Sequence, residues 1–341
     1  MQTPLEPPLL LIVGASGQLG RAIAAAAIAA GWRVRGLVRR PAAAAAVPAG
    51  VEVVVGDGGN PDHLVAAARG AAVIVHAANP GYAAWREQLP VTDAVIVAAR
   101  ATGATIVFPG NVYGYGAAMP KTLTASTPAA PTTSFGSVRV EVEQRLQRAA
   151  ENDGVQVIIL RLGSFFGGGG HADWFSQAIL KDDGVVVWPT ADLQTVHAWS
   201  FVPDAAATLV RLAAARASLP SFAVFCCPGL NVSGAAFLEA IDVAGDAVGQ
   251  PRRRRKTLPW TAMALLSPFI ASLRPLRALR YLWQTSHALV DDHLADVIGP
   301  VPATPLTAAV VSLLLPRQPT TITTTITTPP ASSTATSLRA V

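Results

Sequence analysis

Several residue types that support particular functions are scarce in this sequence. Only two cysteines occur in 341 residues, and because Cys226 and Cys227 are adjacent, a disulfide framework is excluded and a buried strand is the simpler setting for both. Apolar runs long enough to cross a bilayer are also lacking, since Pro259 and Pro268 interrupt the uncharged stretch Thr257–Leu273, which is barely long enough to span. Neither a disulfide-stabilised secreted protein nor a membrane-spanning protein is therefore expected.

Charged residues are few as well, and their distribution limits the choice of partner. They make up 14% of the chain, and much of the net charge of +5 is concentrated in the run Arg252–Lys256. One compact basic run is not the broad basic face that nucleic acid requires, so no nucleic-acid partner is expected. Contact with a membrane surface through Arg252–Arg280 is the weaker alternative. With no signal peptide, the sequence predicts a cytoplasmic protein and leaves its oligomeric state open.

Short apolar runs alternate with alanine-rich segments through the first half of the chain. Runs such as LLLIVG, VEVVVGD and AAVIVHAA are followed by segments of helical composition. This repeat is typical of βα units that form a parallel sheet. We therefore predict an α/β fold, a Rossmann-type doubly wound parallel sheet of six or seven strands over residues 8–162, rejoined at about 197–228. Residues 163–316 would mostly form a smaller C-terminal lobe that binds substrate, and the Thr/Pro/Ser-rich residues 317–341 are predicted to be disordered.

Three glycines separate the first apolar run from the first helical segment, in LLLIVGASGQLGRAIA. Gly14 would form a tight turn, Gly17 would let the backbone approach a phosphate, and Gly20 would let helix and strand pack closely. A pyrophosphate placed there meets the amides and the dipole of a helix N-terminus. The segment therefore predicts a dinucleotide site. The neighbouring residues that would contribute to it are Ser16, Gln18 and Leu19.

The ends of the next strands indicate which dinucleotide binds. Arg39 follows the second strand, where an acidic residue would hold the adenosine ribose of NAD. Because a guanidinium matches a 2′-phosphate in charge and geometry, NADP is the preferred cofactor and NAD the alternative. Asp57, after the third strand, would either accept a hydrogen bond from the adenine amino group or form a turn. The small residues after the fourth strand that would lie against the cofactor are Ala77, Ala78 and Asn79.

In combination, these segments resemble the short-chain dehydrogenase/reductase superfamily, specifically the atypical members of its extended, epimerase/dehydratase-like group. The resemblance rests on GASGQLG, GD at residues 56–57, HAAN, NVYGYG, SFGSVRVEVEQ, LRLGSFFG and WSFVPDAAATLV, in good order and spacing. It covers about residues 8–230 and continues more loosely to about 315. It implies an NAD(P)-dependent oxidoreductase or epimerase/dehydratase-like enzyme that acts on a small carbonyl or hydroxyl compound.

The resemblance also implies where the catalytic residues should stand, and this chain departs from the pattern there. Typical members carry Ser or Thr near the end of the fifth strand and Tyr-x-x-x-Lys at the start of the next helix. Here the serine position falls at Pro109 or Gly110, the tyrosine position at Phe135 and the lysine position at Arg139. Phe135 has no ionisable proton, whereas Arg139 could still hold a ribose or a phosphate. A non-catalytic dinucleotide sensor or regulator is therefore the alternative to an enzyme.

Tyrosines outside the usual position could supply the missing proton donor. The chain has only four tyrosines, and Tyr113 and Tyr115 lie on the loop after the fifth strand. Ligands of such sheets bind at this edge, so both are candidate catalytic residues. A purely structural role for the loop is the competing interpretation.

Histidines and tryptophans occur in the segments expected to cover the nicotinamide. His197 is the third candidate catalytic residue, because histidine titrates near neutrality. His171, Trp174 and Trp199 lie in the same segments, where tryptophan would build an apolar wall around a substrate. Packing is the competing role for each of them. No grouping of His, Cys and carboxylates has the spacing of a metal site, so no metal is expected.

Overall fold

A computed structural model describes residues 6–168, 175, 178–181, 184–315 and 326–327. The strands are β1 (Leu9–Val13), β2 (Arg33–Val38), β3 (Val51–Val55), β4 (Ala71–His76), β5 (Thr105–Asn111), β6 (Thr122–Leu123), β7 (Val157–Leu162), β8 (Ser164–Phe166), β9 (Val185–Trp188), β10 (Val196–Phe201), β11 (Phe222–Cys226), β12 (Leu230–Ser233), β13 (Arg254–Thr257), β14 (Ala288–Leu289) and β15 (Ile326–Thr327). The helices are α1 (Gln18–Ala29), α2 (Pro61–Ala68), α3 (Gln88–Thr102), α4 (Ser134–Asn152), α5 (Val202–Ala215), α6 (Gly234–Ala247), α7 (Trp260–Leu266), α8 (Leu273–Ala278), α9 (Leu294–Ile298) and α10 (Leu306–Leu314).

A parallel sheet forms the centre of the protein, with seven strands in the order β11-β7-β5-β4-β1-β2-β3 and the two-residue β15 added beside β3. Strand β1 pairs with β2 on one side and with β4 on the other, so the strand order reverses at β1. All five residues of β1 are buried, as expected for a central parallel strand. Ligands of such sheets bind at the carboxyl edge where the order reverses. The predicted Rossmann-type fold is confirmed.

Helices cover both faces of this sheet. On one face α1 and α5 contribute Ile23 and Leu209 to a continuous apolar core. On the other face α2, α3 and α4 contribute Leu64, Val95 and Val142. Each of these side chains is essentially removed from water, which stabilises the fold by about 1.5–3 kcal/mol apiece. The two layers hold the carboxyl edge of the sheet in a fixed position.

The chain after β7 builds a smaller lobe. Strands β12, β10 and β8 form a three-stranded sheet, and β13 pairs with β9. The segment expected to rejoin the main sheet does so through β11, which pairs with β7. Cys226, the last residue of β11, and the adjacent Cys227 are both buried and form no disulfide. Strand β10 instead belongs to the lobe sheet. The centre of the lobe is aromatic, and its largest fully buried rings are Phe166, Phe175, Trp199 and Phe237.

Two sequence predictions concern segments in the C-terminal part of the chain. Most of residues 317–341, predicted to be disordered, lies outside the described residues, but Ile326–Thr327 pairs in parallel with β3. The uncharged stretch broken by Pro259 and Pro268 forms the short helix α7 and the turn before α8. None of the helices described in the structure has the length and apolarity needed to span a bilayer.

Candidate functional site

The turn after β1 lies against the end of β4, where the strand order reverses. Gly14 has a φ of +94°, and a Cβ atom added there would stand 2.8 Å from the Cα of Ala78 and 2.9 Å from the carbonyl oxygen of Ala77. Only glycine fits both this conformation and this spacing. Asn79 is exposed just beyond the contact. The carboxyl edge between β1 and β4 is therefore lined by closely spaced backbone.

The N-terminus of α1 is open to an anion. Its N-cap residue, Gly17, has no side chain to pair with the first amides, whereas Asn60 and Thr133 cap α2 and α4 through their side chains. A Cβ atom at Gly20 would stand 2.2 Å from the carbonyl oxygen of Gly14, so the first helical turn touches the β1 turn directly. Uncapped amides and the helix dipole both favour a phosphate at this place.

The residues beside these glycines have different environments. Ser16 is half-buried, and its carbonyl oxygen accepts a hydrogen bond from Nη1 of Arg21 at 3.4 Å. Gln18 donates from Nε2 to the carbonyl oxygen of Gly167, which ties α1 to the residues after β8. The Leu19 side chain is buried in the core. Leu19 therefore has only its backbone to offer a ligand.

Arg39 and Asp57 lie just beyond the carboxyl ends of β2 and β3. Arg39 is exposed, and its Nη2 lies 3.8 Å from Oε2 of Glu87, an exposed pairing that contributes little to stability. Asp57 accepts a hydrogen bond at Oδ1 from the amide of Gly59 at 3.0 Å. The turn role of Asp57 is therefore observed, and its contact with an adenine stays a prediction.

The residue at the lysine position, Arg139, is buried. Its Nη1 donates to Oε1 of Gln88 at 2.6 Å, and its Nη2 donates to the carbonyl oxygen of Pro109 at 2.9 Å. The guanidinium carbon lies 4.9 Å from the centre of the Phe108 ring. Burial lowers the pKa of Arg139 to about 10. The guanidinium thus joins α4 to α3 and β5, and its predicted contact with a cofactor is not needed to explain its position.

His76, at the end of β4, is a buried neutral group near Arg139. Its Nε2 lies 3.0 Å from Oγ1 of Thr92. Burial, followed by the positive charge of Arg139, lowers the pKa of His76 to about 3. His76 is therefore uncharged at neutral pH, and its role is structural, as a buried hydrogen-bonding partner of Thr92.

An aromatic cluster surrounds the residue at the tyrosine position, Phe135. Its ring stands edge-on to Tyr82 and Trp85, with centroids 5.4 and 5.5 Å away. Trp85 also donates from Nε1 to the carbonyl oxygen of Phe135 at 3.0 Å. The hydroxyl of Tyr113 lies 3.2 Å from the hydroxyl of Tyr82, and we call these two residues the tyrosine pair. Two phenols therefore lie beside a phenylalanine that carries none.

Both members of the tyrosine pair hold their protons at neutral pH. Burial raises the pKa of Tyr113 well above 10, and the neighbouring Tyr82 raises it further. Burial also raises the pKa of Tyr82. Tyr82 is nevertheless 38% exposed, whereas Tyr113 lies deeper. The pair is a proton-bearing group with one member in contact with solvent.

Tyr115 is directed into the protein. Its hydroxyl accepts a hydrogen bond from Nη1 of Arg161 at 2.8 Å and donates to the carbonyl oxygen of Thr124 at 3.1 Å. Arg161 is itself paired with Glu143 at 2.8 Å. Burial raises the pKa of Tyr115. These contacts are those of a packing residue, and none of them supports its predicted catalytic role.

His197 is buried in β10, which belongs to the lobe sheet. Its Nδ1 lies 3.1 Å from the carbonyl oxygen of Leu282, and its Nε2 lies 2.8 Å from Oγ of Ser164. The imidazole stacks on Trp283 with ring centroids 4.3 Å apart. Burial, followed by the neighbouring His287, lowers the pKa of His197 well below 6.5. Because both ring nitrogens have partners, the proton-donor role predicted for His197 gains no support from the structure.

Other predictions for the lobe concern tryptophan, histidine and metals. Trp199 lies in the aromatic centre of the lobe, while His171 and Trp174 lie outside the described residues. Within the described ranges, no three His, Cys, Asp or Glu side chains are grouped as a metal would require.

Tyr82 and Gln88 are the site residues that the sequence did not single out. Tyr82 lies in NPGYAAW, after β4, and this position at the carboxyl edge is the one signal that could have pointed to it. Its partner is 31 residues away in the chain. Gln88, which holds Arg139, is 51 residues away from that arginine. Such pairings become visible only in the fold.

Comparison with known sequences identifies a protein family and a curated relative. Residues 10–225 match the NAD dependent epimerase/dehydratase family. A curated relative, dTDP-6-deoxy-L-talose 4-dehydrogenase (NAD(P)(+)) from Kitasatospora kifunensis, is 32% identical over 232 residues, which make up 63% of this chain and 72% of the relative. The resemblance deduced from the motifs is confirmed.

Solved structures share the fold. A putative epimerase from Burkholderia cenocepacia J2315 matches with a TM-score of 0.70 at 18% identity, over 91% of this chain and 98% of that one. The dTDP-glucose 4,6-dehydratase of Bacillus anthracis in complex with NAD matches with a TM-score of 0.69 at 12% identity, over 89% and 94%. With its family match extending over most of the chain, the protein belongs to the NAD dependent epimerase/dehydratase family and is an NAD(P)-dependent oxidoreductase/epimerase-like enzyme.

Proposed function

We propose that this enzyme oxidises or reduces a small carbonyl or hydroxyl compound, prefers NADP to NAD, and uses the tyrosine pair for proton transfer. The observation that carries the proposal is the 3.2 Å contact between the hydroxyls of Tyr82 and Tyr113, beside Phe135. The loops after β4 and β5 would thereby supply the phenol that α4 lacks. The name of the curated relative makes dTDP-linked deoxysugars the first substrates to test.

The residues around the β1 turn fit a dinucleotide. The close contact of Gly14 with Ala77 and Ala78, and the uncapped start of α1, would receive the pyrophosphate. Arg39 is exposed where the adenosine ribose would lie, and a 2′-phosphate would pair with its guanidinium. When bound, the nicotinamide supplies or accepts a hydride.

The tyrosine pair would move the proton that accompanies this redox change. In the reducing direction, the hydroxyl of Tyr113 gives its proton to the substrate oxygen as the carbonyl becomes a hydroxyl. Tyr82, which reaches solvent, then returns a proton to Tyr113 and takes one from water. In the oxidising direction the path runs in reverse. The raised pKa keeps Tyr113 protonated at neutral pH, and an oxygen with alkoxide character is a stronger base than a phenolate, so the proton transfer of the reducing direction is downhill.

Tyr113 is preferred to the other two candidates because of its partners. The hydroxyl of Tyr115 is used by Arg161 and Thr124. The imidazole of His197 is fixed by the lobe core. The Tyr113 hydroxyl is paired instead with a group that is itself solvent-accessible, so a proton can be replaced after each turnover.

Cofactor preference is tested by fluorescence titration with NADPH and NADH. We expect NADPH to bind about tenfold more tightly, and Arg39→Ala to remove most of that difference while leaving NADH affinity unchanged. Arg148→Ala, an exposed arginine on α4, is the matched control and should change neither affinity. A preference for NADH in the unmodified enzyme would refute the NADP assignment.

Proton transfer is tested by oxidation of NADPH with a panel of keto-sugar nucleotides and smaller carbonyl compounds. Tyr113→Phe should lower kcat by about 10²-fold without changing NADPH affinity, and Tyr82→Phe should have a smaller effect. Tyr115→Phe and His197→Ala are the comparison variants, which should lose stability rather than catalytic rate. Full activity in Tyr113→Phe would refute the assignment of the tyrosine pair.

The alternative drawn from the sequence, sensing of a dinucleotide without turnover, is not supported by the family match, although Phe135 and Arg139 have packing roles. It predicts tight NADPH binding with no turnover of any panel compound. Turnover that depends on Tyr113 would exclude it.

A further inference from the structure

The turn between α7 and α8 exposes a group of apolar side chains. Leu265 and Leu266 end α7, and Phe269 and Ile270 follow it in the chain. Leu265 is 75% exposed and Phe269 is 86% exposed. The amides of Phe269 and Ile270 both donate to the carbonyl oxygen of Leu266, so the four residues lie within about one helical turn. We call these four residues the apolar tip.

Two arginines are fixed at the base of the apolar tip. Arg274 donates from Nε to the carbonyl oxygen of Ser267 at 3.2 Å and from Nη2 to that of Pro268 at 2.8 Å. Arg277 donates from Nη1 to Oγ of Ser267 at 3.2 Å. Both arginines line one surface depression together with Ser267, Pro268 and Ala278. The guanidinium groups are thus held beside exposed apolar side chains, at the rim of a concave surface.

The charged side chains in the chain segment that contains the apolar tip are all positive. Between Asp246 and Asp291 there is no acidic residue, while there are eight basic ones. In the part of the chain that the structure describes, neither Arg274 nor Arg277 has a carboxylate within 4.0 Å, in contrast to Arg255, which pairs with Asp242. The two guanidinium groups therefore keep their charge available to an external anion.

We propose that the apolar tip and its arginines dock on the surface of an anionic phospholipid bilayer. The four apolar side chains enter the boundary between headgroups and acyl chains, and Arg274 and Arg277 receive lipid phosphates in the adjoining depression. Apolar residues flanked by cations are the usual composition of a segment that lies on an acidic membrane. Guanidinium groups match phosphate oxygens in geometry as well as in charge. The proposal favours membrane contact through Arg252–Arg280, which the sequence left as the weaker alternative.

A second copy of the chain fits this surface less well. A symmetric dimer would bring the same patch of both copies together, so Arg274 and Arg277 would face their own counterparts. Like charges at a desolvated interface repel each other, and the segment between Asp246 and Asp291 contributes no acidic residue to relieve that repulsion. An anionic bilayer supplies the missing charge across the whole surface.

Flotation of the full-length chain with vesicles tests the proposal, which does not depend on the proposed reaction. Vesicles of phosphatidylcholine alone are compared with vesicles that contain roughly one third phosphatidylglycerol. We expect partitioning to be at least about tenfold stronger on the acidic vesicles and to be largely lost in about 0.5 M NaCl.

Two double variants separate the apolar and the charged contributions. Leu265→Ser with Phe269→Ser, and Arg274→Gln with Arg277→Gln, should each lower partitioning on acidic vesicles by about tenfold or more. Val97→Ser, on α3, is the matched control because Val97 is 41% exposed outside the tip, and it should float like the unmodified chain. NADPH titration and thermal unfolding check that each variant is folded.

Three results would overturn the proposal. The first is no flotation with acidic vesicles, and the second is equal flotation of the unmodified chain and the Leu265→Ser/Phe269→Ser variant. The third is a dimer in light scattering that this same variant converts to a monomer, since that would assign the tip to a second copy of the chain.

Discussion

At the scale of single residues, Gly20 determines whether α1 can start against the β1 turn. A methyl group there would stand 2.2 Å from the carbonyl oxygen of Gly14, so helix and turn must move apart. We expect Gly20→Ala to weaken NADPH binding by at least about tenfold and to lower the melting temperature, since backbone at the anion site is displaced.

Gly245→Ala is the matched control for this substitution. Gly245 also lies in a helix, α6, but its added methyl group would meet only the carbonyl oxygen of Gln250 at an ordinary 3.7 Å. This variant should bind NADPH normally and gain up to about 1 kcal/mol of stability, because alanine is the better helix former. Unchanged binding in Gly20→Ala would contradict the account of the turn.

Some residues of the site could be predicted from the sequence and others could not, for a physical reason. Gly14, Gly17 and Gly20 follow from local spacing, because the turn and the helix start are built from one short segment. The tyrosine pair depends on two loops 31 residues apart, brought together by neighbouring strands of the sheet. Contacts of this kind are set by packing across the fold, which no local pattern encodes.

At the scale of elements, the cap of α4 fixes where Phe135 and Arg139 stand. The side chain of Thr133 accepts a hydrogen bond from the amide of Gly136 at 3.2 Å. We expect Thr133→Ala to lower the free energy of unfolding by about 1 kcal/mol, because the first turn of α4 loses its cap. Urea unfolding measures the change. Thr133→Ser keeps the hydroxyl and should restore most of the loss, and equal losses in both variants would argue against a capping role.

Local sequence patterns predicted where strands form but not always which sheet they join. The β1 to β5 runs were predictable because buried parallel strands are continuously apolar. Strands β10 and β11 are both mostly buried, yet β11 joins the main sheet and β10 pairs with β8 and β12. Which sheet a strand joins depends on which neighbouring strands have unpaired edges in the folded protein. The amino-acid composition of the strand does not contain that information.

At the scale of the whole molecule, buried histidines make stability depend on pH. Burial lowers the pKa of His76, His197 and His287 in the folded state. The folded protein then binds fewer protons than the unfolded chain below pH 6.5, so its stability is complete above that pH and falls on acidification. For His76, with a folded pKa of about 3 against 6.5, the loss is on the order of 1 kcal/mol at pH 5.5.

His76→Gln tests this dependence, because glutamine can replace the hydrogen bond to Thr92 without titrating. Urea unfolding at pH 7.5 and 5.5 should show a smaller loss of stability on acidification in the variant than in the unmodified protein. His293→Gln, at an exposed position, should leave the difference unchanged. A variant whose pH dependence matches that of the unmodified protein would contradict the role assigned to His76.

The measurement that tests the central claim most directly is a crystal structure of the enzyme with bound NADP. We predict the pyrophosphate at the start of α1, the 2′-phosphate beside Arg39, and the hydroxyl of Tyr113 or Tyr82 as the phenol nearest the nicotinamide, within reach of a substrate oxygen. Tyr115 and His197 should keep their present hydrogen bonds. A nicotinamide placed far from both hydroxyls of the tyrosine pair, with another proton-bearing group beside it, would contradict the account.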